Sequence, residues 1–145
     1  MTGNGLTIVS GGQTGVDRAA LDAALAQGLP CGGWCPRGRK AEDGVIPERY
    51  PLHETNSEGY SARTRRNIED SDATLIIYFD YLSGGTELTL RECLKLRKSY
   101  KLIDGALIEP ATASEAVSRF TRDFGIVTLN VAGPRATGEP RAYAY

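Results

Sequence analysis

One histidine, one tryptophan and three cysteines in 145 residues leave little material for metal or redox chemistry. Three cysteines cannot all pair within the chain, so a disulfide framework is not expected and a reducing cytoplasm is the expected compartment. Cys31 and Cys35 are spaced C-x3-C with no second cluster, and His53 has no partner signature, so neither a zinc site nor any other metal site is expected. No apolar run is long enough to span a bilayer, and Met1 to Gly5 carries no leader pattern. Charge of one sign is also lacking. Seventeen basic residues against eighteen acidic ones give a net charge of -1, which argues against nucleic acid or an anionic membrane as partner. Nothing resembles a Ser-His-Asp set, a nucleophile elbow or a pair of catalytic carboxylates, so no catalytic residue is assigned. Walker A and G-x-G-x-x-G loops are missing as well.

Glycine is plentiful, with seventeen residues, and its placement after apolar runs organises the chain. Leu6 to Ser10 is a short β-branched run that meets Gly11-Gly12-Gln13-Thr14-Gly15 and then an Ala/Leu-rich segment. That order predicts strand, tight turn and helix. Glycines let backbone approach a ligand closely. Thr14 and Asp17 have capping-box spacing, and the helix start behind them offers free amides and the positive end of a dipole to an anion. The helix is expected from about Gly15 to Gln27, ended by Gly28, with Val16, Ala20, Ala23 and Ala24 facing inward.

A short strand is expected over Leu29–Gly33, opening into Trp34-Cys35-Pro36-Arg37-Gly38-Arg39-Lys40. An aromatic face beside cations suits a phosphorylated heterocycle, the alternatives being a tryptophan that belongs to the core and solvated charges that balance Glu42 and Asp43. A long irregular stretch, Ala41 to Glu58, follows. Tyr60 to Asp70 reads as a helix on which Arg63, Thr64 and Asn67 share a face, toward either the crevice or water. Ala73 to Phe79 is apolar nearly throughout, as a central parallel strand covered on both sides would be. It runs into a second glycine turn, Ser83-Gly84-Gly85-Thr86, whose hydroxyls and amides make a second anion cradle or simply a helix cap. The following helix, to about Lys98, is read as burying Leu90, Cys93 and Leu94 and leaving Leu88 and Leu96 outside, which predicts helix-mediated self-association. A short strand at Lys101–Ile103, a helix opened by a Thr112/Glu115 capping box and a last strand at Ile126–Asn130 complete the pattern. Glycine and a cation again follow that strand, in Gly133-Pro134-Arg135.

Alternation of strands and helices predicts a single α/β Rossmann-like domain over residues 1–145, with a mainly parallel sheet flanked by helices on both faces. In such sheets the ligand crevice lies beyond the carboxyl ends of the strands, at the switch in strand order.

Taken together, the blocks Gly11–Asp22, Gly33–Arg39, Ala41–Gly44, Arg63-Thr64, Ser71–Ala73, Gly84–Thr86 and Val131–Arg135 resemble the molybdenum carrier family. These are relatives of molybdenum-cofactor carrier proteins, within the Rossmann-like group that includes LOG-type (lysine decarboxylase-like) proteins. The resemblance implies a homo-oligomer, dimer or tetramer, that stores or hands over molybdenum cofactor (molybdopterin) or molybdate. It extends the small-molecule site to Asp17, Arg18, Cys35, Pro36 and Gly38, beside the glycine, aromatic and arginine positions already named. One departure matters. LOG-type phosphoribohydrolases carry P-G-G-x-G-T-x-x-E, whereas here the turn is one residue shorter and Thr89 stands three places after Thr86. Glu87 is displaced by two positions, roughly 200° around the helix. The alternatives are such a nucleotide hydrolase or a nucleotide-sensing module.

Overall fold

The computed structural model describes residues 5–145; the first four residues of the Met1–Gly5 segment read above lie outside it. The elements run β1 (Thr7–Val9), α1 (Val16–Gln27), β2 (Cys31–Gly32), β3 (Trp34–Cys35), β4 (Lys40–Ala41), β5 (Gly44–Val45), β6 (His53–Glu54), α2 (Tyr60–Glu69), β7 (Ala73–Tyr78), α3 (Gly84–Leu96), β8 (Ser99–Asp104), α4 (Pro110–Asp123) and β9 (Thr128–Ala132). Five strands form the central sheet in the order β2-β1-β9-β7-β8, with every neighbouring pair parallel.

Alternation along β7 assigns the two faces. Ala73, Leu75 and Phe79 join the apolar cluster with Val16 and Ala24 of α1 and Ala113 of α4. Ile76 points the other way, to Ile68 of α2 and Cys93 of α3. Helices therefore cover both faces, as the near-continuous apolar run of β7 requires. A third cluster, Leu21, Cys35, Ala41, Ile46, Tyr50 and Leu52, packs the segment between β2 and α2 against α1.

The strand order carries a further fact. Counting the five strands along the chain gives 2-1-5-3-4 across the sheet. Counting from β9 instead gives 3-2-1-4-5, the doubly wound order. The topology is thus that of a doubly wound sheet whose first strand has moved to the end of the chain, and the switch in order falls between β9 and β7.

Several local expectations differ from the structure. The residue before α1 is Gly15, at φ 79°, and no side chain caps the helix. Thr14 Oγ1 instead bonds Glu42 and accepts from the Ala136 amide, while the Asp17 carboxylate accepts the Gln13 amide at 3.3 Å. Ala23 is exposed, and Leu21 is the buried residue of that turn, because the β2–α2 segment adds a second apolar surface against α1. Gly28 ends α1 in the left-handed region, as expected. The stretch 41–58 is not wholly irregular: β4 and β5 form a small hairpin, and β6 pairs with β3. Arg39 ties it down by donating to the carbonyls of Ile46, Pro47, Tyr50 and Leu52. Leu94 is 57% exposed rather than buried, while Leu96 packs on the cluster beneath α3. Helix α4 starts earlier than the Thr112/Glu115 box, with Pro110 in its first turn, where a missing N–H costs nothing.

Candidate functional site

A crevice of about 500 Å³ opens at the carboxyl ends of β9 and β7. Its wall on the β7 side is Ser83–Thr86, the start of α3, with Leu88 and Thr89 of the next turn. Ser83 precedes α3 in extended conformation, and its side chain makes no cap bond, so the first amides of the helix are left for an outside acceptor. Gly84 takes φ 53°, which turns the chain into the helix there. The β9 wall is Ala132-Gly133-Pro134-Arg135, with Thr137 and Gly138 beyond. Gly133 has no room for a side chain: a Cβ would lie 2.5 Å from Val16 Cγ2 and 2.8 Å from the Ile77 carbonyl.

Gln13, Asp17, Tyr60, Arg63 and Thr64 line the remainder, with Glu42 at the rim. Asp17 is 4% exposed and Gln13 is 2% exposed. Arg63 Nη1 lies 3.3 Å from Asp17 Oδ2. Burial pushes the Asp17 carboxyl above its ordinary range, opposed chiefly by Arg63 and the Gln13 amide, then by Arg135 and Arg18. Glu42 is shifted the other way, held low mainly by the hydroxyls of Thr14 and Thr137. The Tyr60 ring gathers cations: the Arg135 guanidinium is 4.2 Å from its centroid, Lys40 5.5 Å and Arg63 5.8 Å. Positive charge thus faces the open turn of α3 across the crevice.

The structure brings together Gln13, Asp17, Arg63, Ser83, Gly84, Gly85 and Thr86 from the residues singled out in the sequence. Other members of the first glycine turn sit behind this wall and are packed on protein. A Cβ at Gly11 would collide with Arg63 Nη1 at 2.1 Å, one at Gly12 with Leu52 at 2.4 Å, and one at Gly15 with the Pro134 carbonyl at 2.3 Å. The start of α1 is already occupied, because the Val16 amide donates to the Pro134 carbonyl at 3.3 Å. Thr14 holds Glu42, and Arg18 spans the Gly12 carbonyl and Asp43. This glycine turn therefore serves close protein packing and delivers Gln13 and Asp17 to the crevice.

The Trp34–Arg39 loop does not line the crevice. Trp34 donates from Nε1 to Asp70 at 2.7 Å, and Arg66 stacks 3.9 Å from its ring centroid. Cys35 and Pro36 are fully buried. Arg37 pairs with Glu58 on the surface, the Gly38 amide donates to Glu54, and Arg39 is spent on four carbonyls. Asn67 clamps the Trp34 backbone through both ends of its amide, at 2.7 and 3.0 Å. It also borders a small recess with Arg63, Thr64 and Asn130.

Among the residues not proposed as ligand-binding from sequence, Gly133 to Arg135 and Tyr60 are central. A signal for the first was present: glycine and a cation directly after a strand. In the order counted from β9, that turn is the one following the first strand, where doubly wound sheets hold phosphate. Glu87 points away from the crevice to Arg91, 3.4 Å distant, whereas Thr89 lines it and donates to the Gly85 carbonyl. A second cleft of about 540 Å³, between α2 and α3, shares only Leu88 with the crevice and lies away from the strand ends. Among the described residues no group of three or more His, Cys, Asp and Glu side chains gathers to hold a metal ion, and no helix is long and apolar enough to cross a membrane.

The sequence model of the circularly permutated YpsA SLOG family matches residues 8–145. A crystal structure of a protein from Syntrophus aciditrophicus, described as a "Putative molybdenum carrier protein", is 45% identical to this chain. It aligns with a TM-score of 0.93 over 95% of this chain and 87% of that one. No curated protein matches the chain.

Proposed function

We propose, from the premise that this chain belongs to the circularly permutated YpsA SLOG family, that the crevice between β9 and β7 binds and carries a phosphorylated small molecule, with molybdenum cofactor as the cargo. The observation that carries this reading is the open first turn of α3, set in one crevice with Arg63 and Arg135. Free helix amides and the dipole favour a phosphate, two guanidiniums add charge-assisted bonds, and Tyr60 offers an aromatic face. Such a cargo would be held through its phosphate by the first amides of α3 with Arg63 and Arg135, and no group of three or more His, Cys, Asp and Glu side chains gathers among the described residues beside it.

Carriage is favoured over nucleotide hydrolysis by the placement of carboxylates. Cleavage of an N-glycosidic bond needs a carboxylate that stabilises oxocarbenium charge or activates water. Glu87 faces Arg91, Asp17 is engaged by Arg63 and the Gln13 amide, and Glu42 is held by Thr14 and Thr137. The test is to purify the protein from cells making molybdenum cofactor, then measure molybdenum by elemental analysis and pterin by oxidised-pterin fluorescence. Retention of both, lost in Arg135→Ala, is expected. Release of free base from nucleoside monophosphates without retained pterin would replace the carrier by an enzyme.

A further inference from the structure

The floor of the crevice holds two polar atoms that the chain does not satisfy. Gln13 is almost fully buried, and among the described residues nothing donates to its Oε1; Nε of Arg63, in the same crevice, has no acceptor. The Gln13 amide cannot exchange its ends. Its Nε2 donates to the Lys40 carbonyl at 3.0 Å, and a flipped amide would set oxygen against oxygen. Beside them the Asp17 carboxylate already accepts from the Gln13 amide and from Arg63 Nη1. This part of the crevice therefore offers acceptors and one spare donor, whereas the anion-binding groups come from α3 and Arg135.

A fully deprotonated tetrahedral oxoanion brings only acceptor oxygens. Against Gln13 Oε1 and Asp17 it would leave Oε1 unpaired and add repulsion between like charges. A ligand hydroxyl behaves differently: it can donate to Oε1 and still accept from a donor of the crevice. A ring N–H satisfies Oε1 alone.

We infer that Gln13 is a specificity-determining residue, through which the crevice selects an organic phosphate ester bearing a hydroxyl or N–H donor and rejects oxoanions that carry no proton, molybdate included. This rests on the anion-binding reading of the crevice and narrows it.

The experiment is calorimetric titration of the full chain at slightly alkaline pH with four probes: ribose 5-phosphate, methyl phosphate, sulfate and molybdate. Ribose 5-phosphate is expected to bind about tenfold or more tightly than the other three, the size that follows from leaving a buried acceptor unpaired. Gln13→Met keeps the side-chain length and removes Oε1, and should bring the four within about threefold of one another. Should that variant not fold, the wild-type comparison of ribose 5-phosphate with methyl phosphate decides alone. Equal affinity for those two, or molybdate or sulfate bound as tightly as ribose 5-phosphate, overturns the inference and leaves the anion site standing. An undiminished preference in folded Gln13→Met also overturns it. Binding of none of the four overturns the anion site and this inference together.

Discussion

The Val16 amide donates to the Pro134 carbonyl at 3.3 Å, and a Cβ on Gly15 would sit 2.3 Å from that same oxygen. The contact joins the first helix of the chain to the turn after its last strand. Sheet order requires this, since β1 and β9 are neighbours. It also gives the first amide of α1 a backbone carbonyl as its acceptor, so that amide is not free for an anion.

Gly15→Ala should accordingly be costly. Gly15 combines φ 79° with contact to backbone that cannot rotate away. A loss of about 2–4 kcal/mol in chemical denaturation is expected. Weaker phosphate binding should accompany it, because the displaced turn carries Arg135. A change below about 0.5 kcal/mol would show that the turn yields freely.

Arg63→Met removes the partner of a buried carboxylate and should cost about 2–4 kcal/mol near neutral pH. Its pH dependence has a definite sign. Burial already places the Asp17 carboxyl above its ordinary range, and loss of Arg63, the largest opposing influence, raises it further. A carboxyl whose pKa is higher folded than unfolded contributes stability that is complete below the unfolded value, about 4, and is lost as pH rises through the folded one. The deficit of the variant should therefore grow on going from acid to neutral pH, and Asp17→Asn in the same chain should abolish that slope. Denaturation curves across this range are the check.

Arg135 and Arg37 separate a crevice cation from a surface one. Arg135 lines the crevice against Tyr60, while Arg37 is exposed and paired with Glu58 outside it. Arg135→Ala should weaken phosphate-ester binding about tenfold, and Arg37→Ala by less than about twofold. A titration giving the reverse order would return the site to the Trp34 loop.

Helix α3 leaves Leu88 37% and Leu94 57% exposed. Leu88 lines the crevice and the neighbouring cleft, about 120° around the helix from Leu94, and we expect self-association to cover Leu94. Sedimentation of the wild type should show a dimer or larger species at micromolar concentration, and Leu94→Asp should shift it to monomer. A monomeric wild type would leave Leu94 without that role.

Local sequence determined the elements and their class. The apolar run of β7, the glycine stop of α1 at Gly28 and the alternation of strand and helix are short-range properties, expressed within a few residues of where they are written. Both Ser83–Thr86 and Gly11–Gly15 were legible as turns after strands, since glycine at a strand end has few other uses. What sequence could not decide was which glycine-bearing turn opens onto the crevice. Gly11, Gly12 and Gly15 make room for Arg63, Leu52 and Pro134, residues far along the chain, and a glycine that admits protein reads the same as one that admits phosphate. The cations of the 34–40 loop were legible as charges, but the partners of Arg37 and Arg39, Glu58 and the carbonyls of Ile46, Pro47, Tyr50 and Leu52, come from its later course. Only the tertiary structure, by inserting β9 between β1 and β7, set Gly133–Arg135 opposite α3 and made one crevice from distant segments.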